Sequence, residues 1–98
     1  MFMDNRQLKF QGFHPSEFTR SYLGDKMSAI QDWAPYGSTL KATFTRNDRL
    51  FKGVVTIYSS AGKFFAIASG HKLKEVTHKL VHQIHRQLGR WKERRFKR

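Results

Sequence analysis

The sequence predicts an α+β fold in two layers, a four-stranded mixed sheet with two helices packed on one face. Three observations carry that prediction. Four separate stretches read as strands, two by alternating apolar with polar residues at the period of two that puts side chains on one face, and two as β-branched and aromatic runs. Two longer stretches repeat apolar residues at helical spacing. Their order is strand, helix, three strands, helix. The last three strands should therefore form an antiparallel meander, while a helical crossover lets the first run parallel to its neighbour.

Each element follows from local chemistry. Gln7 to Phe13 (QLKFQGF) alternates Leu8 and Phe10 with polar residues and reads as the first strand. Pro15 and Ser16 then make a turn and a cap, for the Ser16 hydroxyl accepts from a backbone N–H about three residues on and Glu17 suits the positive end of the helix dipole. The first helix presents Phe18, Tyr22, Leu23, Met27, Ile30 and Trp33 as a broad apolar face, with Gly24 its weak point. Ala34, Pro35, Tyr36 and Gly37 end it, since proline disfavours helix at the residue before it. Leu40, Ala42 and Phe44 alternate with Lys41, Thr43 and Thr45 as the second strand, and Asn47 and Asp48 supply a turn. Phe51 to Tyr58 and Lys63 to Ala68 are β-branched and aromatic runs joined by SSAG, whose Gly62 takes the positive φ that a tight hairpin requires. From about Lys72 to Arg95 the period becomes helical.

A chain of 98 residues holds one core and not two, so a single domain over 1–98 is expected, its basic end from about 93 to 98 free to move. Nine Phe, two Trp and 39% hydrophobic residues provide apolar area to offset the entropy of ordering. Cysteine is absent, which removes disulfides and thiolate metal sites. No apolar run approaches the ~18 to 20 residues of a membrane span, and MFMDNRQLKF lacks the apolar stretch of a secretory signal. A soluble, unexported protein is the expectation. The net charge is +12, and it is unevenly placed: residues 1–49 hold seven basic and five acidic groups, residues 50–98 twelve and two. Such a bias concentrates polyanions near the second half.

The last 21 residues, HKLVHQIHRQLGRWKERRFKR, concentrate the chemistry. Advancing by about 100° per residue from Leu80, the positions Leu73, Val76, Ile84, Leu88 and Trp91 fall within roughly 80° of it and form the core contact. Lys72, Lys79, Arg86, Arg90 and Lys97 form a row at about −80° to −120°, and Lys74 and Lys92 lie on the other flank near about +120°. His78, His82, His85 and Gly89 fill the outward face between them. A row of cations meets successive phosphates along a groove and releases their counterions. A solubilising face normally mixes both signs, whereas here only Glu75 and Glu93 interrupt the cations, so polyanion binding is the preferred reading. Gly89 either lets a phosphate or sugar approach the backbone or is a tolerated kink, and both readings stay open.

Other chemistries fit less well. His78 and His82 stand at i and i+4 with His85 as a third ligand, but Lys79, Leu80 and Val81 between them include no Glu, and the surrounding cations oppose a divalent ion. No metal site is expected. A metal-free ribonuclease needs one His as base, another as acid and a Lys for the phosphorane; those types share this face, yet nothing buries the histidines or orients them. Two-metal phosphoryl transfer needs clustered carboxylates, which seven scattered acids do not supply. Aromatic residues on the open side of the sheet could stack on single-stranded bases. Most of Phe10, Phe44, Phe64 or Phe65, Trp33 and Trp91 read more simply as core.

The order and spacing of several strings, DKMSAIQDW (Asp25 to Trp33), TIYSSAG (Thr56 to Gly62), IASG (Ile67 to Gly70) and RQL (Arg86 to Leu88), resemble the ribosome-associated inhibitor and hibernation-promoting factor family, over about Leu8 to Lys92. The resemblance implies a β-α-β-β-β-α fold similar in outline to double-stranded RNA-binding domains. It further implies a protein of the bacterial-type cytoplasm that docks on the small ribosomal subunit between head and body. There it would cover the messenger and transfer RNA sites and stall translation in stress or stationary phase. By the same resemblance Lys26, Lys79, Arg86 and Lys92 contact ribosomal RNA; the helix wheel adds Lys72 and Arg90, with Lys74, His78, His82, His85 and Gly89 as secondary candidates. The expected form is the short one, without the carboxy-terminal domain that pairs ribosomes in longer relatives. Where family members commonly carry acids at the start of the second helix, this chain has His71, Lys72 and Lys74. No enzyme activity, cofactor, small-molecule substrate or membrane partner is expected. The alternatives are a general RNA or DNA binder and, behind it, a histidine ribonuclease.

Overall fold

The computed structural model describes residues 6–96, with side-chain surroundings through Arg94. Six elements follow in the expected order: β1 (Arg6–Gln11), α1 (Glu17–Trp33), β2 (Thr39–Asn47), β3 (Leu50–Ser59), β4 (Gly62–Gly70) and α2 (Leu73–Phe96). The sheet order is β1-β2-β3-β4, with β1 parallel to β2 and the remaining pairs antiparallel. The α+β fold read from the periodicities is the fold observed. Lys97, the last cation of the predicted row, lies outside the described residues.

Turns form where the sequence supplies the backbone for them. Gly12 ends β1 at φ +82°, where a Cβ would collide with the Arg46 carbonyl oxygen. Ser16 caps α1, its Oγ accepting from the Thr19 N–H at 3.1 Å, and the helix closes at Ala34, whose N–H donates to the Gln31 carbonyl at 3.1 Å. Asp48 at φ +61° and Gly62 at φ +131° serve the two hairpins.

The core lies between the sheet and the helices. Leu40, Ala42, Phe44, Val55, Ile57, Phe64 and Ala66 of the sheet face Leu23, Met27 and Ile30 of α1 and Val76, Leu80, Ile84 and Leu88 of α2. At Gly53 a Cβ would come within 2.7 Å of Leu80 Cδ1 and 2.9 Å of Val76 Cγ1. The missing side chain is what lets α2 sit down on β3. Two expected core residues of α1 are not core: Phe18 is 81% exposed and Trp33 43%. The buried stripe of α1 is narrower than its run of apolar residues, because the helix has the sheet on one side and only the flank of α2 on another.

The helices run in the same direction. Phe18 and Tyr22 near the start of α1 lie beside Leu73 and Lys74 at the start of α2, and Trp33 at the end of α1 meets His85 and Lys92. Both leave the opposite face of the sheet uncovered.

Candidate nucleic-acid interface

Burial of Val76, Leu80, Ile84 and Leu88 fixes the rotation of α2. Leu73, Val81 and Trp91 pack against the same core, and the positions beyond this stripe face the edge of β4, the flank of α1, or solvent.

Toward β4 the helix satisfies a sheet edge. The Phe65 N–H donates to Gln87 Oε1 at 3.0 Å, while Gln87 Nε2 donates to the Phe65 carbonyl at 2.5 Å. One turn earlier the Ile67 N–H donates to Gln83 Oε1 at 3.3 Å, and Gln83 Nε2 to the Ile67 carbonyl at 2.8 Å. One turn earlier again, Lys79 Nζ donates to the Ser69 carbonyl at 3.0 Å. The pitches explain the match: four helical residues rise about 6 Å, and two strand residues about 6.7 Å. An edge strand with free amides and carbonyls invites pairing with another chain, and these side chains occupy them. The sequence reading missed this role. Its signal was that Gln87, at about −20° from Leu80, and Gln83, at about −60°, are polar residues inside the apolar stripe.

Lys79 is thereby partly committed. Its ammonium lies 3.5 Å from Glu75 Oε2 as well as on Ser69. Glu75 is held below its usual carboxylate range, first by the charge of Lys79 and the hydrogen bond to it, then by the backbone N–H groups of His71 and Lys72. Gly70 leaves room for that carboxylate, since a Cβ there would come within 2.6 Å of Glu75 Oε1. Arg86 and Arg90 differ. Both are exposed, neither has a hydrogen bond or ion pair among the described residues, and with Gln83 and Gln87 they line an open cleft of about 440 Å³.

Toward α1 the cations lie beside aromatic rings. Lys92 is half-buried, its Nζ 4.1 Å from the centroid of Trp33. The same ring meets His85 at 4.9 Å, and Lys26 Nζ lies 5.6 Å from the Tyr22 ring. A cation over a ring face is held in place without being neutralised. Lys74 borders an open apolar cleft of about 410 Å³ with Phe18, Thr19, Tyr22 and Leu73.

The structure thus sorts the candidates into two groups. Lys79, Arg86 and Arg90 follow the β4 edge; Lys26, Lys74 and Lys92 flank the seam between the helices, with His85; and Lys72 borders an open cleft with Lys74, Glu75, His78 and Lys79 that joins the two at the start of α2. His78 and His82 are exposed between the groups. Gly89 is half-buried, and nothing lies within 4 Å of where its Cβ would be. His85 is engaged with Trp33, and no three metal-ligating side chains stand together among the described residues. No described helix is long and apolar enough to cross a membrane.

No family model matches the sequence, and no curated protein does. Solved structures do. The N-terminal domain of Protein Y from Thermus thermophilus superposes with a TM-score of 0.76 at 12% identity, over 87% of this chain and 94% of that one. A ribosomal subunit interface protein from Coxiella burnetii gives 0.75 at 19% identity, over 90% and 97%. The chain has the protein Y fold. The β-α-β-β-β-α fold implied by the resemblance of DKMSAIQDW, TIYSSAG, IASG and RQL is the fold this chain shares with these two structures. Within the protein Y fold α2 keeps one face on the sheet, and the cations of this chain fall on the part that remains outside.

Proposed function

We propose that this protein is a ribosome hibernation factor, a single ribosome-binding domain that anchors on the ribosomal RNA of the small subunit and occludes the messenger and transfer RNA sites. One observation carries the reading: on the protein Y fold, the outer half of α2 presents Arg86 and Arg90 exposed and unpaired among the described residues, with Lys79 and Lys72 farther toward the start of the same helix. That one structural neighbour is named for the ribosomal subunit interface supports a ribosomal partner.

The chemistry required is modest. A guanidinium presents a planar fork that pairs with two phosphate oxygens at once, and it stays charged at any physiological pH. Arg86 and Arg90 would clamp the backbone, and Lys72, Lys79 and Lys74 would add point charges along the same helix. Lys26 and Lys92, set beside Tyr22 and Trp33, would grip a second stretch of RNA across the helical seam. Inhibition then follows from volume. A folded domain seated in the path of messenger and transfer RNA excludes both and needs no catalytic group.

Sedimentation with purified small subunits, with and without bound messenger and transfer RNA, tests this. The protein should pellet with empty subunits and be displaced from loaded ones. With about four to six phosphate contacts, log K against log salt should have a slope of about −3 to −5. Equal binding to loaded and empty subunits would refute occlusion, and equal binding to any duplex would favour a general nucleic-acid binder.

A further inference from the structure

The face of the sheet turned away from both helices is neither neutral nor mixed in sign. The strand registers align it in rows. Thr39, Tyr58 and Lys63 form the first; Gln7, Lys41, Thr56 and Phe65 the second. Lys9, Thr43, Val54 and Ile67 form the third, and Gln11, Thr45, Lys52 and Ser69 the fourth, with Asn47 and Leu50 a short fifth. Each of the first four holds one lysine, and none of the five holds an acid. Near one corner Tyr58 and Phe65 are each 45% exposed and diagonal neighbours across β3 and β4, and Ile67 beside them is 44% exposed. Lys41 and Lys63 bring their ammonium groups to 5.7 and 6.0 Å from the Tyr58 ring.

We propose that this face binds single-stranded nucleic acid, with bases stacked on Tyr58 and Phe65 and phosphates on Lys9, Lys41, Lys52 and Lys63. The rows repeat every two residues, about 6.7 Å, and the lysines of successive rows stand on β4, β2, β1 and β3, one or two strands apart, so from row to row they are spread over the face at about 8 to 12 Å. Base faces are free in a single strand and hidden in a duplex, and exposed rings on a cationic surface are what such bases stack on. Four lysines without a counter-charge among the described residues oppose the face-to-face stacking of two copies. The threonines and glutamines in the same rows offer hydrogen bonds to sugar or base. This surface lies on the opposite layer from Arg86 and Arg90, and the inference does not rest on ribosome binding.

The test is fluorescence anisotropy of the full chain with labelled oligouridylate and oligothymidylate of about a dozen nucleotides, against an RNA hairpin duplex and against anionic vesicles. Alanine at one stacking ring weakens binding by about fivefold or more, so Y58A/F65A should lose about 25-fold or more on both oligomers and nothing on the hairpin. Far-UV circular dichroism checks the fold. K41Q/K63Q gives a second reading that spares the rings: its salt slope on oligouridylate should become shallower by about 1.4, two contacts at about 0.7 each. R86E/R90E should affect the hairpin more than the oligomers. Unchanged oligomer affinity in folded Y58A/F65A overturns the proposal, as does an equal loss on the hairpin. It is likewise overturned if the face proves to bind only vesicles, or if sedimentation equilibrium shows a dimer that Y58A/F65A dissociates.

Discussion

Replacing Gln83 and Gln87 together by alanine should open the β4 edge without touching the core. Four hydrogen bonds would go, at 2.5, 2.8, 3.0 and 3.3 Å. At a solvent-accessible edge each contributes near the low end of the usual range, about 0.5 kcal/mol, for a loss of about 2 kcal/mol. Alanine returns part of that, about 0.3 kcal/mol at each site, as the better helix former. The net is about 1 to 1.5 kcal/mol, which for a chain of this size lowers the thermal midpoint by about 4 to 12 °C. Hydrogen exchange provides the sharper assay, because the Phe65 and Ile67 amides are the donors concerned. Both should lose protection in Q83A/Q87A, while amides paired between β2 and β3 change only with global stability. The freed edge should also raise concentration-dependent self-association. If the Phe65 and Ile67 amides exchange no faster relative to the β2–β3 amides, the two glutamines do not close this edge.

Charge reversal in R86E/R90E should leave the melting curve near wild type, since neither side chain has a partner among the described residues and Glu is about as good a helix former as Arg; co-sedimentation with small subunits should weaken and its salt slope become shallower by about 2. Gly53→Ala should cost about 1 to 3 kcal/mol by overpacking against Leu80 and Val76, read as a lower midpoint in denaturant. The carboxyl of Glu75 is depressed, so its contribution is present above the ordinary carboxylate range and lost as pH falls through the lowered value. The wild type should therefore melt above Glu75→Gln at neutral pH and converge with it in acid. Gly89→Ala should raise the thermal midpoint through a helix gain of about 1 kcal/mol; if it also weakens subunit binding, the bare backbone at Gly89 is a contact point, and unchanged binding makes it a tolerated kink.

What the sequence discloses and what it withholds follow from different physics. Strand and helix periodicities are local, and here they agree with the turn chemistry at Asp48, Gly62 and Ser16, so the order and pairing of the elements could be read directly. The same reasoning put Phe18 and Trp33 in the core, because a helical wheel counts apolar residues but not the width of the surface opposite them. Only Leu23, Met27 and Ile30 of α1 are fully buried.

The candidate site divides in the same way. That the outer half of α2 is cationic was legible, since positions on a helix follow from its rotation. Which cations are free was not, because the answer depends on contacts distant in sequence. Lys79 and Arg86 sit close together on the wheel, yet Lys79 is drawn to the Ser69 carbonyl by the path of β4, while nothing from that strand reaches Arg86. Lys92 owes its position to Trp33 across the seam. Trp33, missed as a site residue because it read as core, is exposed at the point where a cation needs an aromatic neighbour. A row of like charges on a wheel is thus an upper bound on the charges available to a ligand. On this helix the difference falls between Lys79 and Lys92, which the fold also uses, and Arg86 and Arg90, which it does not.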